Sequence, residues 1–577
     1  MELNKDISHE EIEKVIRKLK RNKSPGVDKL SNEALQHVDV ISILKHFLNM
    51  CLKFNIVPDM WQKAIISPIP KSTMKDISVP LNYRGISLLS CVAKVFTSII
   101  NNRITAYCNC LGLIADEQNG FRKGRSCQDH LFTLTNIIRM RKQQKKPTFA
   151  AFIDLQKAFD CVDRTLLLYK LMNYNIDGSC YRTIKTLYSN HLSCVKVNNS
   201  FTDWFNVRCG VRQGDNLSPT LFCLFVNDLV TQLNALNKGV KLGDNIVSIL
   251  LYADDMVLIS EKEEQLQGML DEMFRWTRKW KLNVNISKSN IIHFRPKGSP
   301  LTNAQFHFGQ HLLEKVPYYK YLGVYLDECL DFKKCCQILS DSATRALGSI
   351  ISEFKYLKNM RYDTFSKLYN TGVVPILNYG SEVWGFGKFT VCDNVQNKAM
   401  RFFLGVHKYT PTAAVQGDMG WIALKYKRYI CILRHWNRLV NMDSDRLTKK
   451  IFQHDINNSV RNSWSKDVEN ISELLGMKNI FENRGDFNIR ECEKRFYAMS
   501  ETEWQIAAQS KPKLRTYLLF KENFGVGEYV RINISRCKRY IFAQFRAGIL
   551  PLMIEVGRFK NVRDETTGLF RKLNAEE

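Results

Sequence analysis

Residues 250 to 260 read LLYADDMVLIS and set two carboxylates, Asp254 and Asp255, side by side within an apolar run. Burying an unpaired ionised group costs several kcal/mol, and adjacent like charges repel unless a metal or a base neutralises them. Leu250 and Leu251 on one side, with Met256, Val257, Leu258 and Ile259 on the other, predict two strands meeting at a tight turn with the aspartates at its tip. A purely structural turn favours Asn-Gly or Asp-Gly, whereas a carboxylate pair suits a cation. A third carboxylate, Asp154, ends the apolar run TFAAFIDL earlier in the chain. If the two strands are neighbours in one sheet, the three aspartates converge on a site for two divalent ions. Such a site holds phosphates, lowers the pKa of an attacking 3′-hydroxyl and stabilises both oxygens of an in-line displacement. Taken singly, Asp154 equally suits a helix cap and the aspartate pair an ordinary turn.

Other elements must position these groups. GVRQGDNLSPTLFCLFVNDL, between them, is a loop-to-helix junction in which Gly214 permits close backbone approach and Pro219 suits a helix start. Near the N-terminus, Ser8 and Glu11 have capping-box spacing, and Ile12, Val15, Ile16 and Leu19 share one face of a helix expected to run to the Ser24-Pro25-Gly26 stop. SLLSCVAKVFTSIINNRITAYC predicts a second helix. RMRKQQKKP, residues 139–147, reads as a basic, solvated linker into the Asp154 strand. CVKVNNSFTDWFNVRCG predicts a hairpin with Asn198, Asn199 and Ser200 at its turn. Met269, Met273, Trp276 and Trp280 fall at helical spacing, as a core stripe does.

The 577 residues suffice for about three or four domains, and 45% hydrophobic content with 11% aromatics excludes a disordered chain. Lys and Arg number 84 against 57 Asp and Glu, a formal charge of +27 that points to a polyanionic partner, nucleic acid before acidic membrane. The 17 cysteines include no CxxC pair, so reduced thiols are expected rather than a zinc site or a disulfide framework. The N-terminus lacks a signal-peptide core and no apolar run is long enough to cross a bilayer, which predicts an intracellular, unsecreted protein.

Taken in order, FIDLQKAFD, RQGDNLSPTLF and YADD resemble motifs A, B and C of reverse transcriptases. The flanks NKSPGVDKLSNEAL, NYRGISLLSCVAKVF, EQNGFRKGRSCQDHL, LNVNISKSNIIHF and YKYLGVYLD narrow the resemblance to non-LTR, LINE-like retrotransposons. PILNYGSEVWG and NKAMRFFLGV extend it to roughly residue 425.

The resemblance implies an α+β, right-hand polymerase. Fingers would occupy residues 1–147, a palm with an antiparallel sheet 148–300 (interleaved with a fingers segment near 165–205), thumb and connection 301–430, and a mainly helical C-terminal region 431–577. It implies an RNA-directed DNA polymerase that copies retrotransposon RNA from a 3′-hydroxyl primer by target-primed reverse transcription. Its partners would be an RNA template, a DNA primer or nicked target DNA and deoxynucleoside triphosphates, with no membrane, in nucleus and cytoplasm. Two Mg2+ ions, with Mn2+ as the alternative, would be held by Asp154, Asp254 and Asp255. By the same likeness Lys288 would protonate the leaving pyrophosphate, Lys71 and Arg84 would hold the triphosphate, Phe159 would lie under the incoming sugar, and Gln213 and Gly214 would contact nucleotide and template.

Two other readings stay open: an RNA-dependent RNA polymerase, against which Phe159 stands, and an idle RNA-binding descendant, against which the three aspartates stand. Gly85 replaces the proline usual in NYRGIS, a loop change expected to leave Arg84 in place. Neither an endonuclease nor a Cys/His knuckle is visible, so the chain looks like part of an element. YKRYICILRHWNRLVNM mixes aromatic and basic residues as an RNA surface does, yet fits better an amphipathic helix that buries its aromatics.

Overall fold

The run Thr148–Asp154 is apolar on both faces, and such a strand is stable where both faces of its sheet are covered. In the computed structural model it lies between Asp255–Ser260 and Asn290–Phe294, antiparallel to both, with every residue but Asp154 buried. The six-stranded sheet has the order Phe306–Phe308, His311–Lys315, Asn290–Phe294, Thr148–Asp154, Asp255–Ser260, Ile249–Tyr252. Only His311–Lys315 runs parallel to a neighbour there, Asn290–Phe294. The structure describes residues 2–548 apart from 72–75, 77, 199, 244, 358 and 459–461, together with 562–563 and 570–571.

Helix Glu263–Lys279 packs on this sheet and buries Met269, Met273 and Trp276, with Trp280 at its C-terminal cap, as their spacing predicts. Helix Ser218–Ala235, with Pro219 in its first turn, packs beside it. A second sheet is built on Lys63–Pro70, which pairs antiparallel with Tyr83–Leu88 and parallel with Leu192–Val197. Ser200–Phe201 and Phe205–Asn206 pair with Leu192–Val197 on its other side. At the hairpin turn Asn198 takes φ +48°, while Asn199 lies outside the described residues. Gly85 sits within strand Tyr83–Leu88 opposite Pro68, so the departure from proline falls in a strand and not in a loop.

The chain divides into two compact units, residues 1–130 with 144–319, and 131–143 with 320–577. In the first, the six-stranded sheet continues past position 300 to Lys315, because His311–Lys315 pairs with Asn290–Phe294 and Phe306–Phe308 pairs with it in turn as the edge strand. The capping box at Ser8 and Glu11 forms, but its helix is only His9–Ile16, with Arg17 as C-cap. Leu19 packs on the core from outside it, well before the Pro25-Gly26 stop. The second unit is largely helical, with Lys333–Tyr356, Thr390–Leu404, Leu424–Val440 and Ile489–Gln509 its longest helices. Residues 139–147 are not a linker throughout, because helix Cys127–Gln143 includes the first five of them. Arg139 gives the reason: its guanidinium donates to the Val383 carbonyl at 2.6 Å and lies 3.7 Å from Asp467, so its charge is partnered by protein. Helix Leu424–Val440 buries Tyr426, Arg428, Leu433 and Trp436, so this aromatic and basic run is core. The cysteines are free thiols, most of them buried. Among the described residues no helix is long and apolar enough to cross a membrane.

One buried ion pair ties the helices of the first unit together. The Lys170 ammonium lies 2.6 Å from Asp228 and 3.6 Å from the centre of the Trp280 ring, while the Trp276 indole donates to the same carboxylate at 3.0 Å. Burial pulls the Lys170 pKa down to about 8 despite Asp228. Lys170→Ala removes both the charge and the packed stem and should cost about 3 kcal/mol in urea unfolding. Lys170→Met keeps the stem and leaves Asp228 its indole donor, so it should cost less than half as much; equal losses would show that the stem contributes nothing.

Candidate active site

The register settles where the first two carboxylates stand. Asp255 opens its strand directly opposite Asp154, and on its other side pairs with Tyr252 across a two-residue turn of Ala253 and Asp254. Directly opposed residues of an antiparallel pair place their Cβ atoms about 5 Å apart on one face, where like charges destabilise. The turn is tight enough that Ala253 takes φ +60°, a left-handed conformation that costs an L-residue roughly 1 kcal/mol. Asp254 follows it and lines a cleft of about 990 Å³ in the first unit.

Eight of the nine sequence-selected residues line this cleft: Asp154 and Asp254, the basic Lys71, Arg84 and Lys288, and Phe159, Gln213 and Gly214. Asp255 does not line it, but flanks it from the strand. Arg84 arrives on strand Tyr83–Leu88, and Lys71 follows the paired strand Lys63–Pro70. The Gln213-Gly214 turn docks on the former: Ser87 N–H donates to the Gln213 carbonyl at 2.8 Å. Gly214 is required there, since with φ +118° a Cβ would lie 2.7 Å from the Ser87 oxygen. The Gln213 amide also donates to Asp160 at 3.0 Å. Phe159 stacks on Phe222 at 4.8 Å and meets the edge of Phe121 at 5.9 Å, half-buried with one flank on the cleft. Residues 285–289 wrap the end of the Asp154 strand, with Asn285 N–H donating to the Asp154 carbonyl at 2.8 Å and Asp154 N–H to Ser289 Oγ at 3.1 Å. Lys288, on that segment, rests its ammonium 3.7 Å from the Asp154 carboxylate.

Burial raises the Asp254 pKa and Asp154 adds to it, while Arg84 opposes. The Asp255 carboxyl is pushed up to about 6, by burial first, then by Asp254 and Asp154. Tyr319, stacked on Phe152 at 4.5 Å, is pushed up to about 12 by burial and by Asp154 and Asp255. Hard oxygen donors, mutual repulsion and an ammonium already standing beside Asp154 fit a hard divalent cation. Among the described residues no three His, Cys, Asp or Glu side chains reach a common point. A hard divalent ion can also be held by one or two carboxylates together with water and substrate phosphates. A smaller cavity, about 400 Å³ around Arg164 and His191, lacks carboxylates; the Arg164 guanidinium is engaged there by the Gly210, Tyr188 and Val207 carbonyls.

Sequence reading assigned no role to Gln118, Gly120 or Asp160. EQNGF entered only as part of the family resemblance, and nothing local in it showed that this segment abuts Ala253. Gly120 has to be glycine, since a Cβ would lie 2.3 Å from the Ala253 nitrogen.

The raised carboxyls carry a stability signature. Unfolded Asp titrates near about 3.9, so between about 4 and about 6 the folded chain holds protons that the unfolded chain has lost, and stability falls as pH rises through that window. In EDTA, Asp255→Asn should therefore melt above wild type at pH 7.5 and lose that advantage by pH 4. A lower melting temperature at pH 7.5 would contradict the repulsion.

Residues 69–326 match the family described as Reverse transcriptase (RNA-dependent DNA polymerase). The probable RNA-directed DNA polymerase from transposon BS of Drosophila melanogaster is 30% identical over 460 residues, covering 77% of this chain and 49% of that protein. The RNA-directed DNA polymerase from mobile element jockey of Drosophila funebris is 27% identical over 72% of this chain and 45% of its own length. A Pol polyprotein from type-1 retrotransposable element R2 of Nasonia vitripennis is 26% identical over 55% of this chain and 31% of its own. The chain thus spans about half the length of the first of these curated relatives. The chain carries a reverse transcriptase domain at residues 69–326, with Asp154 and Asp254 lining its cleft, and it resembles the RNA-directed DNA polymerases of non-LTR retrotransposons.

Proposed function

We propose that this chain is an RNA-directed DNA polymerase that adds deoxynucleotides to a 3′-hydroxyl on an RNA template, with a nicked DNA target as the natural primer in the nucleus. The observation that carries the reading is the Asp154 to Asp255 register, which sets the acidic strand end and the Asp254 turn at a cleft rimmed by Lys71, Arg84 and Lys288. In this reading the sheet on Lys63–Pro70 belongs to the fingers and the six-stranded sheet is the palm. The thumb and the C-terminal region would lie in the helical unit, whose main segment begins at Lys320.

Asp154, Asp254 and Asp255 would hold two divalent ions, Mg2+ by preference and Mn2+ as the alternative. Bound there, such ions supply charge neutralisation and a lowered pKa for the attacking hydroxyl. The rest is the work of the chain. Arg84 and Lys71 offer charge-assisted hydrogen bonds to the triphosphate from paired strands, which fixes its orientation. Lys288 carries a proton on an exposed, movable side chain beside Asp154 and can deliver it to the departing pyrophosphate. The Gln213-Gly214 turn brings bare backbone against the nucleotide and template. Phe159 closes the space beneath the sugar and gives a 2′-hydroxyl no hydrogen bond.

Primer extension on purified protein tests the reading. Asp254→Asn should reduce deoxynucleotide addition by at least about a thousandfold while leaving RNA affinity nearly unchanged, because binding comes from distributed phosphate contacts; robust extension by the variant would refute the assignment. Phe159→Val should raise ribonucleotide relative to deoxynucleotide incorporation by at least about tenfold, equivalent to roughly 1.4 kcal/mol. Because Phe159 also stacks on Phe222, both activities should fall somewhat, but an unchanged ratio would take the residue out of sugar selection.

A further inference from the structure

The turn that carries Asp254 is strained at Ala253 and has an identifiable anchor. Gln118 is fully buried, and its side-chain oxygen accepts two backbone hydrogen bonds, from Ala253 N–H at 3.0 Å and Gly120 N–H at 2.9 Å. The flanking backbone is laced to the strand before the turn: Leu251 N–H donates to the Glu117 carbonyl and Asn119 N–H to the Leu251 carbonyl, each at 2.9 Å. Gly120 lets this segment come against the Ala253 nitrogen, where any Cβ would collide. Two arginines hold the segment from behind. Arg122 donates to the Ala115 and Gln118 carbonyls at 2.7 and 3.1 Å, and Arg125 to the Asp116 carbonyl and Asn119 Oδ1, both at 3.0 Å. The Gln118 Nε2 atom is buried without a hydrogen-bond partner, so the residue serves as an acceptor alone.

We propose that Gln118 is a positioning residue for nucleotide transfer, which holds the turn so that the Asp254 carboxylate faces the cleft. The inference rests on the polymerase reading above. A buried Gln that only stabilised the fold could satisfy any two amides; this one holds the amide of the residue immediately before Asp254. Its oxygen supports the left-handed conformation that the two-residue turn needs. Without it, the turn keeps its strands but loses the anchor that fixes its tip. Substrate binding, which depends on Lys71, Arg84 and the Gln213 turn, does not run through this contact.

The test compares full-length wild type with Gln118→Met, similar in length but without an acceptor, and Gln118→Glu, which keeps an oxygen for both amides in either protonation state. For single-nucleotide addition on a primed RNA template, Gln118→Met should lose at least about tenfold in kcat with the deoxynucleotide KM within about threefold, the split expected when only the reacting geometry suffers. Amide hydrogen exchange over residues 250–255 should quicken at least about tenfold in the same variant, since a local anchor is gone. Gln118→Glu should stay near wild type in both. Unchanged kcat in Gln118→Met, kcat and KM deteriorating together without faster exchange, or Gln118→Glu failing as badly as Gln118→Met would each overturn the proposal. Should Gln118→Met not fold, Gln118→Asn, whose amide falls one methylene short, carries the same two readouts. Wild type that extends no primer would overturn the polymerase reading, and the exchange comparison would still decide the anchor.

Discussion

Two aspartates placed directly opposite each other on neighbouring strands repel, and the molecule has to hold them against that repulsion. It does so with sheet register. The Asp154 strand is buried on both faces and paired on both edges, so a slip of one residue would turn its side chains to the opposite faces and disrupt the packing around Phe149, Phe152 and Ile153. The energy that fixes the carboxylates therefore comes from apolar burial, and the site draws on a core that cannot relax locally. This is how a strained, charged arrangement persists at a functional site while its surroundings over-determine it.

The cleft joins opposite demands at short range. Its floor is acidic, burial raises the carboxyls of Asp254 there and of Asp255 beside it, and its rim is basic. Neither set alone suits a nucleoside triphosphate: the carboxylates would repel it, and the lysines and arginine would hold it without activating anything. Together they fit a substrate that arrives as an anion with counter-cations. Lys288 beside Asp154 marks the place where positive charge is wanted. The Gln213-Gly214 turn docks on the Arg84 strand at Ser87 and reaches Asp160, past the end of the Asp154 strand, through its side-chain amide, and its glycine allows backbone contact where a side chain would intrude.

What the sequence revealed follows from how local each signal is. The Asp154 strand and the hairpin behind Asp254 were legible because uninterrupted apolar runs and a two-residue turn are written in neighbouring positions. The Met269 to Trp280 stripe and the capping box at Ser8 were legible for the same reason. The first helix was expected to run to Pro25 because nothing nearby ends it, but it stops at Ile16. Arg139 suggested a solvated linker by its charge, and only distant partners, the Val383 carbonyl and Asp467, explain why it is helical. The extension of the six-stranded sheet to Lys315 and the anchoring of Ala253 by Gln118 depend on pairings between segments far apart in the chain. The residues proposed to bind triphosphate and select the sugar came from family resemblance rather than from pattern, and the fold gathers them at one cleft.

The central claim is that Asp154 and Asp254 are brought together to share divalent cations with a bound nucleotide. A crystal of the chain with primer, RNA template, a non-hydrolysable deoxynucleotide and Mn2+, measured at the manganese absorption edge, tests it most directly. Anomalous peaks should lie within about 2–2.5 Å of carboxylate oxygens of both residues, with the Lys288 ammonium displaced from Asp154. An ordered nucleotide in the cleft with no manganese peak at these aspartates, and Lys288 still resting on Asp154, would contradict it.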